Sequence, residues 1–360
     1  MLVAYVSGHG YGHATRVAEV LRAVRAKDAA LPITVVTVAP EALFRRVVPG
    51  PLAFRALECD VGLAQKDALN IDEAETLVQW RAFHATNGDR VDTEWRWLRH
   101  AKARVVLGDI PPLAFEAAAE AGIPSVGLAN FSWDWIYRHL SRRCAGLGAA
   151  ASWAAAAYGR CGLLLKLPFA GDLAAFPKTM EIPLVARTPR VPRAEARRRL
   201  GLGASPVALL SFGGLGLKAF DPRVLAGILD IEFVTVGAPM AGPSNLRVFE
   251  SATLEAFGLG FEYLVGAADV VVTKPGYGIV SDAIGAGTRI VYTERGDFPE
   301  YGVLVAGMEE LIPCAHVSNA DLLTGRLGGP IRTVLGRPVP PRPDLSGASV
   351  AAEQLLRVAS

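Results

Sequence analysis

Residues 269–287 read DVVVTKPGYGIVSDAIGAG. The apolar run 270–272 predicts a buried strand. It passes straight into a Gly-rich turn, and a helix is expected from about Ile279, with Asp282 and Ala283 in its first turns. Gly276 and Gly278 let the backbone come close to a ligand. The free N–H groups of the helix start face the same point, an arrangement that suits phosphate or diphosphate. Asp282 lies one turn further in, where a carboxylate accepts hydrogen bonds from ribose hydroxyls. The plain alternative is an ordinary strand–turn–helix with glycine at the turn.

Outward from this segment, apolar strand-like runs alternate with helix-like ones. Strands are expected at 2–6, 33–38, 104–107 and 124–128, and again at 207–211, 232–236, 269–273 and 289–292. Helices fall between them, as at 14–27 and 113–121. Such alternation with short connections predicts an α/β chain of parallel sheets covered on both faces. The pattern occurs twice, and a proline-bearing segment, 168–206, divides the halves. The expected organisation is two Rossmann-like domains facing a cleft, 1–170 and 206–335, joined by a linker at 171–205. A tail, 336–360, holds a helix from about Ser349 that should pack back on the first domain.

The chain has 360 residues, 51% hydrophobic and 20% charged, which is enough for two separate cores. A net charge of +2 gives no strong field, so no nucleic-acid partner is expected. The Arg-rich stretch 187–199 reads as a solvated linker and helix face. Cys59, Cys144, Cys161 and Cys314 are widely spaced without a CxxC pair, which disfavours zinc or a disulfide framework and fits a reducing compartment. The start, MLVAYVSGHG, lacks the basic leader and length of a signal peptide, and no apolar stretch is long enough to span a membrane. A cytoplasmic location is expected.

The first strand is followed by SGHGYGHATR, residues 7–16. Its Gly8, Gly10 and Gly12 are spaced GxGxG, short of the dinucleotide fingerprint. The second strand ends Thr37-Val38-Ala39-Pro40 with no acid until Glu41, which argues against NAD. His9 and His13 stand at the mouth of the expected cleft, where a histidine can act as general base, and His13 is the preferred candidate. Asp109 ends the strand VVLGD and can orient such a histidine, or can simply cap the helix that follows. The segment NFSWDWIYRHL, 130–140, brings Asn130, Trp133, Asp134, Trp135 and Tyr137 toward the same edge; its aromatics suit sugar or planar rings, or the core. The second half opens with VALLSFGGLG, 207–216, where Gly213, Gly214 and Gly216 give another close backbone approach, with Lys218 beside it.

SFGG, KPGYGIVSDAIGAG and ERGDFPEY (294–301) resemble the C-terminal domain of GT-B glycosyltransferases. Their order is similar to that in inverting nucleotide-sugar enzymes, including the lipid II-forming N-acetylglucosaminyltransferase. SGHGYGH, NFSWDWIY and KPGYGIVSDA resemble the glycosyltransferase-like N-terminal region of L-arabinokinases over most of the chain. No sugar-kinase loop is present, so kinase activity is not implied.

The resemblance implies a donor site made by Gly213, Gly214, Lys274, Gly276, Tyr277, Gly278 and Ser281 around the diphosphate. Asp282 is implied at the ribose, Phe261 at the base, and Asp297 and Glu300 at the donor sugar. It implies an acceptor site of Gly10, Tyr11, Gly12, Asn130, Trp133 and Asp134, with His13 as base and Asp109 as its partner. Two departures stand out. The usual acid–Gln pattern is replaced by GDFPEY, and SFGGLGLK carries no arginine, which favours inversion over retention although Lys218 and Lys274 are at hand. The implied activity is transfer of a sugar from a nucleoside-diphosphate sugar, UDP being the expected nucleotide, to a small-molecule acceptor, with no metal or other cofactor. The alternatives are a nucleotide-sugar epimerase or hydrolase on the same fold, and a non-catalytic nucleotide-sugar-binding module.

Overall fold

The central strands of both sheets are covered on both faces, which is why their sequences are unbroken apolar runs rather than alternating ones. The computed structural model describes residues 1–66, 70–213, 220–238, 240–257 and 259–360. The first sheet contains β1 (Leu2–Val6), β2 (Ile33–Val36), β3 (Ala53–Arg55), β4 (Val105–Asp109), β5 (Ser125–Ala129), β6 (Leu163–Lys166) and β7 (Thr179–Glu181). Their order is β3-β2-β1-β4-β5-β6-β7. The second contains β8 (Val207–Ser211), β9 (Glu232–Val236), β10 (Leu246–Phe249), β11 (Val270–Thr273), β12 (Arg289–Tyr292) and β13 (Cys314–His316), in the order β10-β9-β8-β11-β12-β13. All these strands pair parallel. The chain is therefore α/β, with two doubly wound Rossmann-like sheets. In β1, Leu2, Ala4 and Val6 enter one buried cluster while Val3 and Tyr5 enter another, as the two-residue period of a strand requires.

In each sheet the strand order reverses beside the domain's first strand, at β1/β4 and at β8/β11. Open α/β sheets bind ligands beyond the C-terminal ends of strands at such a reversal. SGHGYGH follows β1, Asp109 ends β4, Phe212 and Gly213 follow β8, and the Gly276 turn follows β11. The motif-bearing turns thus lie at the reversals because topology puts them there.

Helix Tyr11–Lys27 starts three residues earlier than the expected 14–27. Gly10, at φ 77°, makes the left-handed turn that joins strand to helix, a conformation a side chain would strain. Ala14, Val17, Ala18, Leu21 and Val24 recur at helical spacing and are buried. Helix Tyr277–Ala286 likewise starts two residues before the expected Ile279, so Tyr277 and Gly278 belong to its first turn.

The domain boundaries move. β7 pairs with β6, so the first sheet extends past residue 170 into the expected linker. Helix Arg193–Arg199 is tied to the second domain by Arg193 donating to Gly266 O and Arg197 donating to Ala267 O. The passage between domains is therefore about residues 182–192. Tail helix Gly347–Ala359 lies along helix Tyr11–Lys27, with Lys27 Nζ 2.7 Å from Glu353 Oε1. Five strands escaped the sequence reading: β3, β6, β7, β10 and β13. All but β6 are edge strands of three or four residues, too short to show a period. Among the described residues, no helix is long and apolar enough to cross a membrane.

Candidate active site

β1 and β4 pair with Val6 opposite Asp109, and Ser7 N–H donates to Asp109 O. That register sets the Asp109 carboxylate beside the first turn of helix Tyr11–Lys27. His13 Nδ1 lies 2.8 Å from Asp109 Oδ1. With Nδ1–H donating to the carboxylate, Nε2 is left bare, as a general base requires. His13 and Asp109, expected as a pair, are brought together.

The sequence reading missed Arg16, three residues from His13 on the same helix. Its Nε donates to Asp109 Oδ2 at 2.6 Å, its Nη2 to Oδ1 at 2.5 Å, and its Nη1 to Asn130 Oδ1 at 2.8 Å. Burial alone would push the Asp109 carboxyl up; Arg16, then His13, hold it below the usual carboxylate range. Arg16 Nη2 also stands 3.1 Å from His13 Nδ1. The geometry thus differs from a simple triad, because the Arg16 guanidinium shares the orienting carboxylate.

Asp60 was missed as well. It accepts from Ser7 Oγ (3.0 Å) and from the Trp133 indole N–H (2.8 Å). Burial raises its carboxyl above the usual range against those two bonds. His9 presents its ring edge to Trp133, with centroids 5.4 Å apart, and its Nδ1 accepts weakly from Leu63 N–H at 3.4 Å. Burial first, then His13, Arg295 and Lys274, lower its pKa to about 3, so it is neutral at ordinary pH. Gly62, at φ 63°, leaves the space this ring occupies; a Cβ there would come within 2.7 Å of it.

Several expected acceptor contacts are corrected. Trp133 is 1% exposed, stacked on Tyr137 and bonded to Asp60, so it braces the wall instead of offering a face. Asp134 is bonded to Ser132 and Arg138, two local partners that occupy its oxygens. Asn130 is fully buried: it accepts from Arg16, and its Nδ2 donates to Glu300 Oε1 at 2.6 Å. Gly10 and Tyr11 are exposed, and Gly12 meets the second domain, where a Cβ on Gly278 would sit 3.4 Å from its Cα.

The second-domain side departs further. Helix Tyr277–Ala286 begins at Gly276 with no side-chain cap, leaving its first N–H groups without one. Tyr277 is buried; its hydroxyl accepts from Val185 N–H, and Arg16 Cζ lies 5.2 Å from its ring centroid. Ser281 Oγ donates back to Gly278 O, a local helix bond. Phe261 opens helix Phe261–Ala267, with Arg187 Cζ 5.8 Å from its ring centroid. Lys274 is half-buried at the end of β11, and Gly213 takes φ 76° after β8. Gly214, Gly216 and Lys218 lie outside the described residues.

Asp282 does not stand open to a ribose. Both its oxygens are taken by Arg187: the backbone N–H donates to Oδ1 (2.9 Å), and Nε (3.0 Å) and Nη2 donate to Oδ2. The Arg-rich stretch is therefore not simply a solvated face. Burial holds Asp282 above the usual carboxylate range even with this partner. Arg187→Met strands that carboxylate, so stability to urea should fall by about 3–5 kcal/mol, while Arg187→Met with Asp282→Leu recovers most of it. Equal stability of wild type and single variant would refute this account.

Glu300 is buried with both oxygens engaged, whereas Asp297 is exposed and ion-paired to the first domain. Asp297 binds His139 Nε2 at 2.8 Å and Arg143 Nη2 at 2.6 Å, and Glu300 binds Asn130 and Arg295. Phe298, within GDFPEY, sits among the first domain's aromatics, 6.3 Å from Phe131 between centroids. The loop 294–301 thus docks the second domain onto the first. A buried chain of polar contacts results: His13, Asp109, Arg16, Asn130, Glu300, Arg295.

No family model matches the sequence. The L-arabinokinase of Arabidopsis thaliana is 32% identical over 329 residues, covering 89% of this chain and 31% of that protein's length. The chain therefore spans under a third of that relative. Among solved structures, the glycotransferase of kitacinnamycin aligns with TM-score 0.61 at 17% identity, over 99% of this chain and 94% of the other. UGT2 of Phytolacca americana, complexed with UDP-2-fluoroglucose and pterostilbene, gives 0.63 at 11% identity over the same shares. SnogD of Streptomyces nogalater gives 0.55 at 18%, over 100% and 94%. With two doubly wound sheets meeting at their reversals and near-complete coverage in these alignments, the chain has the GT-B glycosyltransferase fold.

Proposed function

We propose that the protein is a glycosyltransferase that moves a sugar from a UDP-sugar to a small-molecule acceptor with inversion. The observation that carries this reading is His13, in the first turn of one helix, paired with Asp109 at the end of β4, with Gly12 of that turn set against Gly278 at the start of the other helix. In the proposed reaction the donor diphosphate lies at the start of helix Tyr277–Ala286, where uncapped N–H groups stabilise the leaving group. His13 Nε2 takes the acceptor hydroxyl's proton as that oxygen attacks the anomeric carbon. No step of this scheme needs a metal. For donor and acceptor to enter, the contacts of Gly12 with Gly278 and of loop 294–301 with the first domain must part. Closure afterwards excludes water and limits donor hydrolysis. The Phytolacca neighbour's ligands make UDP-sugars and phenols the first compounds to try.

A non-catalytic nucleotide-sugar-binding module is the second reading, favoured by Arg16 sharing the Asp109 carboxylate that would orient His13. Calorimetry with UDP, GDP, ADP, TDP and CDP in EDTA, followed by acceptor-dependent nucleotide release, separates the two. The transferase reading expects micromolar UDP binding and release that requires an acceptor. Binding without release under every donor and acceptor supports the module, and absence of binding refutes both.

A further inference from the structure

A second charged hollow lies at the far end of the second domain. Arg289 begins β12, so this hollow sits at the N-terminal ends of strands whose C-terminal ends face the cleft. It encloses about 660 Å³, within the usual range for a small-molecule site. Proline and valine side chains, Pro189 and Val339 among them, form its apolar walls, and Arg190, Arg193, Arg289 and Arg342 line it.

The charge is one-sided. Arg193 and its neighbour Arg197 share the single carboxylate of Asp269. Among the described residues Arg190, Arg289 and Arg342 have no carboxylate partner. Arg289 gives Nε and Nη2 to Arg337 O, and Arg342 gives Nη2 to Ala286 O at 3.4 Å. A guanidinium has five N–H donors, so both keep others for a ligand. Burial, opposed by Asp269 and reinforced by Arg197, Arg289 and Arg342, lowers the pKa of Arg193, as expected where like charges crowd. The C-terminus of helix Tyr277–Ala286 favours a nearby cation, but that effect fades within one turn and does not call for four arginines around a hollow.

We propose that this hollow binds a small phosphorylated molecule carrying at least two phosphate charges. The arginines take the phosphates through paired hydrogen bonds, and the apolar walls receive the organic body. The site is separate from the cleft and does not depend on the glycosyltransferase reading.

The test is calorimetric titration of inorganic tripolyphosphate into the full chain at low salt. Four proteins are compared: wild type, Arg190→Ser/Arg342→Ser, the cleft variant Lys274→Ala, and Arg198→Ser/Arg199→Ser. The last removes the same charge from the exposed pair on Glu195. Arg190 and Arg342 are exposed, so their variant should fold, which circular dichroism checks. The proposal expects wild type, the cleft variant and the charge control to bind alike at the hollow, any second site in the cleft being the one that Lys274→Ala weakens. The hollow variant should weaken by at least roughly tenfold, from the loss of charged hydrogen bonds. Failure of wild type to bind overturns the proposal. So does a hollow variant that binds as tightly as wild type, or a charge control that weakens as much as the hollow variant. Binding lost only in Lys274→Ala would place the anion in the cleft and also overturn it.

Discussion

His13→Ala should lower acceptor-dependent nucleotide release by about 10²–10⁴-fold while leaving UDP affinity unchanged. That is the contribution of a positioned general base. The separation of effects follows from the geometry. His13 belongs to the first domain and bonds to Asp109, whereas the proposed diphosphate contacts belong to the start of helix Tyr277–Ala286. Loss of the imidazole therefore removes an interaction made in the transition state and spares donor binding, so turnover falls with little change in the donor Kd. Saturating kinetics with the donor–acceptor pair found in the nucleotide screen, alongside calorimetry on the same variant, measures both quantities. Turnover near that of wild type would remove His13 from the base role. His9 would not replace it in a simple way, because its Nδ1 meets Leu63 N–H and burial lowers its pKa to about 3, which makes it a weak base.

What the sequence showed and what it hid divide along a physical line. The turn after β11 was legible because Val270, Val271 and Val272 are buried in a central strand and glycines follow at once. The pairing of His13 with Asp109 was legible because Asp109 ends β4 and His13 opens the helix after β1, the two strands that meet at a predictable reversal of order. The fate of Asp282 was not, since its partner Arg187 lies 95 positions away in a stretch that reads as a solvated linker. Arg16 was hidden for a similar reason: a single arginine on a helix usually faces water, and only the fold places a carboxylate opposite it. Asp60 lies in an irregular segment with no period to give it away. The GDFPEY departure was visible as a departure, but its effect was not. Phe298 within it packs against Phe131, a contact that needs both domains in place.

Arg16→Leu should destabilise the fold by about 3–5 kcal/mol near pH 7, the cost of stranding a buried carboxylate. Asp109 is fully buried, and three of its contacts come from Arg16 and His13. In the wild type the depressed carboxyl contributes stability that is complete above its unfolded value, roughly pH 4. That stability is lost only as the pH falls through the lower folded value. The variant reverses the sign. Burial is the largest single influence on Asp109, and without Arg16 the contacts opposing it no longer outweigh it, so the carboxyl rises and the folded state prefers the protonated acid. The deficit relative to wild type should therefore be largest at neutral pH and shrink as the pH is lowered toward the carboxylate range. Urea unfolding from pH 7 to pH 4 measures it. A deficit that stays constant across that interval would mean that Arg16 stabilises by packing, against Tyr277 or Asn130, and not through the charge on Asp109. Asn130→Ala supplies the contrast. It removes a neutral link between Arg16 and Glu300 and leaves the Asp109 pair intact, so its smaller deficit should not follow the protonation of Asp109. Different pH dependences for the two variants would separate the charge that orients His13 from the contact that holds the domains together.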